Sequence, residues 1–238
     1  MIVSYNGTIV SLNNNFLDFP ITTTPIPPSS NLRLLILGDG SVSNVVTSIR
    51  TQLSILGYSG SSTVSGITMG TTYSGTGLNP DQYNCVLYYT NSSQTGSAAL
   101  STNLLNYRNL GGHIITGVFT WNLRPSGWSY PNLTNFVAPV NQTNNNTNIN
   151  ILTSHPIFNG VSSAITNNAI YFTNDIISTQ SGSTTLATLS SNGRPFLAIR
   201  TVGSSNLISI NTFPVGVSSY TNMRRLFTNA ALWAVGLI

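Results

Sequence analysis

The chain has 238 residues, 40% of them hydrophobic and only 5% charged: eight Arg and four Asp, with no Lys and no Glu, for a net charge of +4. This hydrophobic content excludes a disordered chain, and no apolar run approaches the ~18 consecutive residues of a membrane span. Six of the Arg residues are scattered at 33, 50, 108, 124, 194 and 200, and only Arg224 and Arg225 adjoin, so no basic stripe marks a nucleic-acid partner.

Residues 1–30 read as an extended N-terminal arm. A strand or hairpin is predicted around Asn6-Gly7, and Thr22-Thr23-Thr24-Pro25-Ile26-Pro27-Pro28 forbids helix and favours polyproline geometry. Such an arm can reach a neighbouring copy or lie as an extra edge strand on its own domain, and the sequence leaves both open. Residues 31–238 read as one domain. Arg33-Leu34-Leu35-Ile36-Leu37 has the continuous apolar character of a strand buried on both faces, and Gly38-Asp39-Gly40 ends it in a tight turn. Ser43 or Asn44 can cap a helix carrying Val45, Val46, Ile49, Leu53 and Leu56 at helical spacing, with Gly57 as its stop. Residues 58–78 leave room for one short strand. A second strand–helix unit follows at Cys85–Thr90 with Leu100, Leu104, Leu105 and Tyr107, closed by Gly111-Gly112, and a third strand is His113–Val118.

Residues 119–150 break the rhythm with Trp121, Pro125, Trp128, Pro131 and an Asn-rich tract, a long excursion of the kind used for binding or packing. Further strands are predicted at 169–172, 185–189, 196–200 and 207–210, two of them joined as a hairpin by Asn192-Gly193, and a helix from about Tyr220 to Val235 closes the chain. Alternating strands and helices predict an α/β fold: a mostly parallel sheet with helices on both faces and sites at the strand C-terminal ends.

Several segments carry a resemblance: Leu35-Ile36-Leu37-Gly38-Asp39, the 83–91 strand, Gly111-Gly112-His113, Ser154-His155-Pro156-Ile157-Phe158-Asn159-Gly160-Val161, and Ile208-Ser209-Ile210-Asn211-Thr212-Phe213-Pro214. In that order they resemble class I glutamine amidotransferase-like proteins, especially the trehalose-utilisation-like branch, over about residues 32–238. The resemblance implies a flavodoxin-like, amidotransferase-like sheet. It also implies that an active member would hold a Cys on a strand-to-helix elbow and a His near the last parallel strand. Here the elbow falls at Gly117-Val118-Phe119 and the His position holds Phe213, so the resemblance implies a catalytically degenerate member.

Other residues were weighed for chemistry. Cys85 sits near a strand start and reads as a small core residue, and as a lone cysteine it excludes an internal disulfide. His113 reads as structural. His155, before Pro156, reads as a packing or capping residue with a ligand-facing role as the alternative. Asp39 alone among the acids follows a strand C-terminus, either as a turn residue or as a ligand contact. Two His and no Glu exclude a catalytic zinc site, and Gly38-Asp39-Gly40 lacks phosphate-loop spacing, so no cofactor or metal is expected.

Two functional readings follow. The first is a non-catalytic structural or interaction protein of a virus particle or similar surface assembly, partnered by other protein subunits. A surface of neutral amides and hydroxyls offers little repulsion between copies, and predicts weak dependence of stability on pH and salt. The start of the chain lacks the pattern of a cleavable signal peptide, and the location expected is a virion or extracellular surface. Sequons at Asn6, Asn91, Asn132, Asn141 and Asn145 are what chance produces in a chain this rich in Asn and Thr. The second reading is a carbohydrate-binding or degenerate sugar-processing protein, with glycan held by Trp121, Trp128 and Tyr130 beside Asp39, Asn91 and Arg124, the alternative for those aromatics being packing of the long loop. A third, an enzyme using Asp39 with His155, requires the two to face each other across a cleft.

Overall fold

The computed structural model describes residues 2–5, 8–11, 31–90, 97–118, 120, 121, 130–137, 142, 143, 148–162, 173, 174, 176–214 and 220–238. In the arm, β1 (Ile2–Tyr5) and β2 (Thr8–Ser11) pair antiparallel about the predicted turn. The domain then runs β3 (Leu32–Gly38), α1 (Val42–Ile55), β4 (Ser62–Thr68), β5 (Cys85–Tyr88), α2 (Ala98–Asn109), β6 (His113–Thr116) and the short α3 (Tyr130–Leu133). It continues through β7 (Gln142–Thr143), β8 (Ile149–Ile151), β9 (Thr173–Asn174), β10 (Thr184–Leu189), β11 (Pro195–Val202), β12 (Ser205–Ile210) and α4 (Thr221–Ala234).

Eight strands form one sheet in the order β4-β3-β5-β6-β12-β11-β10-β8. The first five are mutually parallel and the last three antiparallel, so the sheet is mixed and mostly parallel. Taken in sequence order, the parallel strands stand 2-1-3-4-5, the flavodoxin-like arrangement, with its switch point between β3 and β5. The Asn192-Gly193 hairpin joins β10 to β11 as predicted, and Gly193 takes φ +70° there. The expected strand at 169–172 lies outside the described residues. Two strands exceed expectation: β4 is a full seven-residue edge strand, and β8 forms the opposite edge from within the Asn-rich tract. Both draw order from pairing with a buried neighbour, a long-range gain that local composition does not display.

Side-chain alternation along β3 divides the core. Leu32, Leu34 and Ile36 face α1 and α4, packing with Val45, Ile49, Leu226 and Ala230, whereas Leu35 and Leu37 face α2 and meet Leu100, Leu104 and Tyr107. Helix α1 starts before the predicted caps, with Ser41 at its N-cap in the left-handed region at φ 51°, because the turn from β3 takes only residues 39–41. Gly57, at φ +81°, ends it as expected.

Candidate functional site

In a sheet of this order, ligands belong in the crevice outside the strand C-terminal ends, at the switch point between β3 and β5. Among the described residues, Tyr89 and its neighbours pack at these strand ends. Past β5, Tyr89 donates its N–H to the Leu37 carbonyl at 3.0 Å and its hydroxyl to the Gly40 carbonyl at 2.6 Å, so its ring lies across the end of β3. A Cβ on Gly38 would stand 2.2 Å from Tyr89 Cζ, so only glycine admits the ring there. Phe213 stacks edge-on against Tyr89, centroids 5.4 Å apart at 84°, and is 5% exposed. Gly117 is pinned between Pro214 and Tyr89, a Cβ there meeting Pro214 Cγ at 2.7 Å, and its N–H donates to the Tyr88 carbonyl at 2.9 Å.

The expected elbow therefore carries a packed apolar plug. Val118 is fully buried, and its N–H donates to the Thr212 carbonyl at 3.2 Å, tying the elbow to the segment after β12 that bears Phe213. Phe119 lies outside the described residues. Asp39 stands half-buried at the rim, where its carboxylate, after burial itself, helps push the Tyr88 and Tyr89 phenols well above their ordinary range.

Of the residues expected to line a ligand cleft, Asp39, Trp121 and His155 are described. Trp121 is fully buried and packs edge-on against Phe136, centroids 5.1 Å apart at 83°, so it is a core side chain and supplies no exposed platform for a sugar ring. An indole can bury a large apolar area, which favours this inward packing. Asn91, Arg124 and Trp128 lie outside the described residues, as does the side chain of Tyr130.

His155 sits at the wrong end. Helix α4 starts beyond the C-terminal end of β12 and returns to its beginning, where the Ala234 carbonyl accepts from Asn206 Nδ2 at 2.9 Å. The His155 ring packs on Trp233, beside Ala234, with centroids 4.9 Å apart, and its Nδ1 accepts the Ile157 N–H at 3.3 Å. It caps the turn Pro156–Phe158, and partial burial lowers its pKa. A strand of six residues, roughly 20 Å, separates that end of the sheet from Asp39. The two do not face each other.

Cys85 and His113 are register partners on β5 and β6, a juxtaposition the linear sequence conceals. Both lie at the strand N-terminal ends. Cys85 is fully buried and burial pushes its thiol pKa up, away from the thiolate that chemistry requires. His113 Nδ1 is occupied by the Asn206 N–H at 3.0 Å, and burial pulls the imidazole down to about 4. Cys85 is a core residue, and His113 is half-buried beside it. Among the described residues no three of His, Cys, Asp and Glu cluster as metal ligands would.

A polar network that sequence reading missed joins the excursion to the sheet. Ser209 Oγ lies 2.8 Å from Thr116 Oγ1 and 3.1 Å from Thr134 Oγ1, and it accepts the Asn135 N–H at 2.8 Å. Asn135 Nδ2 donates to the Ala198 and Leu207 carbonyls at 2.8 and 2.7 Å, bridging β11 and β12. Thr134-Asn135 in an Asn- and Thr-rich chain gave no signal of this.

No protein-family model matches the chain, and no curated protein matches it. Solved structures do. A protein described as ThuA-like from Parabacteroides merdae aligns with TM-score 0.54 at 16% identity, over 85% of this chain and 89% of its own. Another from Bacteroides uniformis aligns with TM-score 0.54 at 12% identity, over 88% and 94%. PurLQS from Thermotoga maritima aligns with TM-score 0.51 at 7% identity, over 85% and 99%. The fold is thus the ThuA-like, class I glutamine amidotransferase-like α/β fold, and at these identities the likeness is one of fold.

Proposed function

We propose that this chain is a non-catalytic structural or interaction protein, an amidotransferase-like fold reused as a component of a virus particle or comparable surface assembly. One observation carries the reading: the crevice where this fold holds its ligands is occupied by Tyr89, with Val118, Phe213 and Pro214 packed behind it. Aromatic packing at the strand ends, with His155 at the far end of the sheet from Asp39, supports a non-catalytic reading.

The surface composition supports the same reading. With eight Arg, four Asp and no other charged side chain, copies of the chain approach one another against little repulsion. The glycan reading loses its central platform now that Trp121 is a core residue. The partners proposed are other protein subunits, of the same or another kind.

The test pairs light scattering of the purified chain across a concentration range with a thermal-shift panel of mono- and disaccharides. Mass rising with concentration and no saturable shift support the reading. A monomer at every concentration, stabilised by one sugar, overturns it.

A further inference from the structure

We propose that the exposed edge of β4 receives the N-terminal hairpin β1–β2 of a second copy of this chain, a contact that rests on the assembly reading above. The geometry of the edge is the starting point. Strand β4 pairs in parallel with β3 along its whole length, Leu32↔Ser62 to Gly38↔Thr68, without a bulge. Successive residues of a parallel strand present their backbone groups alternately to one side and the other. The Met69 N–H donates to the Gly38 carbonyl at 2.7 Å, so the odd-numbered residues serve β3. Those of Ser62, Val64, Gly66 and Thr68 therefore face outward.

Natural edges are usually blunted by charge, proline or a bulge. The strand itself has none of them: Ser62-Thr63-Val64-Ser65-Gly66-Ile67-Thr68 is uncharged, proline-free and regular, and the charge that reaches its edge, Arg50, comes from α1. Among the described residues, the Val64 carbonyl accepts from Arg50 Nε and Nη2 of α1 at 3.1 and 2.5 Å. Beside the edge, a cavity of about 470 Å³ opens between α1 and β4, lined by Arg50, Leu53, Ser59 and Ser62 among others. Within it Ser62 Oγ is buried and makes no hydrogen bond. A strand laid along the edge would bring backbone groups to Gly66 and Thr68 and place a side chain of alternate register in this cavity, the arrangement of strand addition.

The occupant follows from the arm. Strands β1 and β2 pair only with each other among the described residues, as a sheet of two. A two-stranded hairpin is marginal in water, and a third strand is what stabilises it. Ile2-Val3-Ser4-Tyr5 and Thr8-Ile9-Val10-Ser11 carry the β-branched and aromatic residues that suit a sheet, and no charge precedes Asp18. Among the described residues of one chain the hairpin and the β4 edge belong to separate sheets. The copy that fills the edge is therefore a second one.

The test uses the full-length chain and Thr68→Pro, which removes an outward N–H while leaving the β3 ladder intact. Self-association by light scattering is expected to weaken at least about tenfold in Thr68→Pro, with its melting temperature held near that of the parent. As an independent readout, a Thr68→Cys chain is mixed with a Val10→Cys chain and treated with a short bismaleimide, the native Cys85 being buried. A cross-linked heterodimer is expected. If the parent and Thr68→Pro assemble alike and no heterodimer forms, the assembly reading stands and the β4 contact is overturned. If the parent stays monomeric at every concentration, the assembly reading itself falls, and this contact with it.

Discussion

Phe213→Ala separates a filled core from an open cleft at the end of the sheet. Phe213 is 5% exposed and its ring meets Tyr89 edge-on at 5.4 Å, so removing it empties space that neighbouring strand ends cannot close by small shifts. Truncating a buried Phe costs about 3–4 kcal/mol, of which about 1 kcal/mol is the ring-on-ring contact. For a chain of this size each kcal/mol lowers Tm by roughly 2–4 °C, so the variant should melt about 6–16 °C below the parent. Urea unfolding with an unchanged m-value supplies the free energy, and Phe213→Leu, which keeps most of the volume, should lose less than about 1.5 kcal/mol. A double-mutant cycle with Tyr89→Leu should return a coupling near 1 kcal/mol. A loss below about 1 kcal/mol in Phe213→Ala would mean that water already occupies the space, the plug would be no core, and the case against a ligand there would fail.

Asn135→Ala leaves the buried Ala198 and Leu207 carbonyls without their shared donor and should cost about 2–4 kcal/mol by denaturant unfolding. Asn135→Asp keeps the shape but turns an acceptor toward those carbonyls. Its folded-state pKa is raised, so the variant should lose stability progressively as pH climbs from about 4, which a pH series of melting curves reads. His113 works in the other direction. Its folded pKa of about 4 lies below the ordinary 6.5, so between those values the unfolded chain binds more protons. Its contribution to stability is intact above pH 6.5 and is lost as pH falls toward 4, by about 2–3 kcal/mol in all. His113→Gln should flatten that part of the profile, and an unchanged slope would remove His113 as its source. The weak pH dependence expected from a chain with four acids thus carries an exception set by one half-buried imidazole.

The sequence by itself determined the three central parallel strands, β3, β5 and β6. Apolar runs at 33–37, 85–90 and 113–118, each bounded by Gly, Pro or Asn, identify strands buried on both faces. The helical spacing of Val45, Ile49 and Leu53 leaves one orientation for α1. These are local signals, because a strand with two buried faces must be apolar throughout, and a helix with one must repeat every 3.6 residues. That residues 117–119 hold no Cys and position 213 holds Phe is equally plain, since these are statements about residue identity. What only the tertiary structure decided is where polar and aromatic side chains end up. Trp121, a platform on paper, turns inward to Phe136 because burying an indole outweighs exposing it. His155 follows its loop to the far end of α4, and Cys85 meets His113 by strand register alone. Edge strands β4 and β8 take their order from partners distant in the chain, and the Ser209–Asn135 network from hydrogen bonds that no local pattern encodes. Where a residue's role depends on the neighbour it meets across the sheet, composition is silent and packing rules.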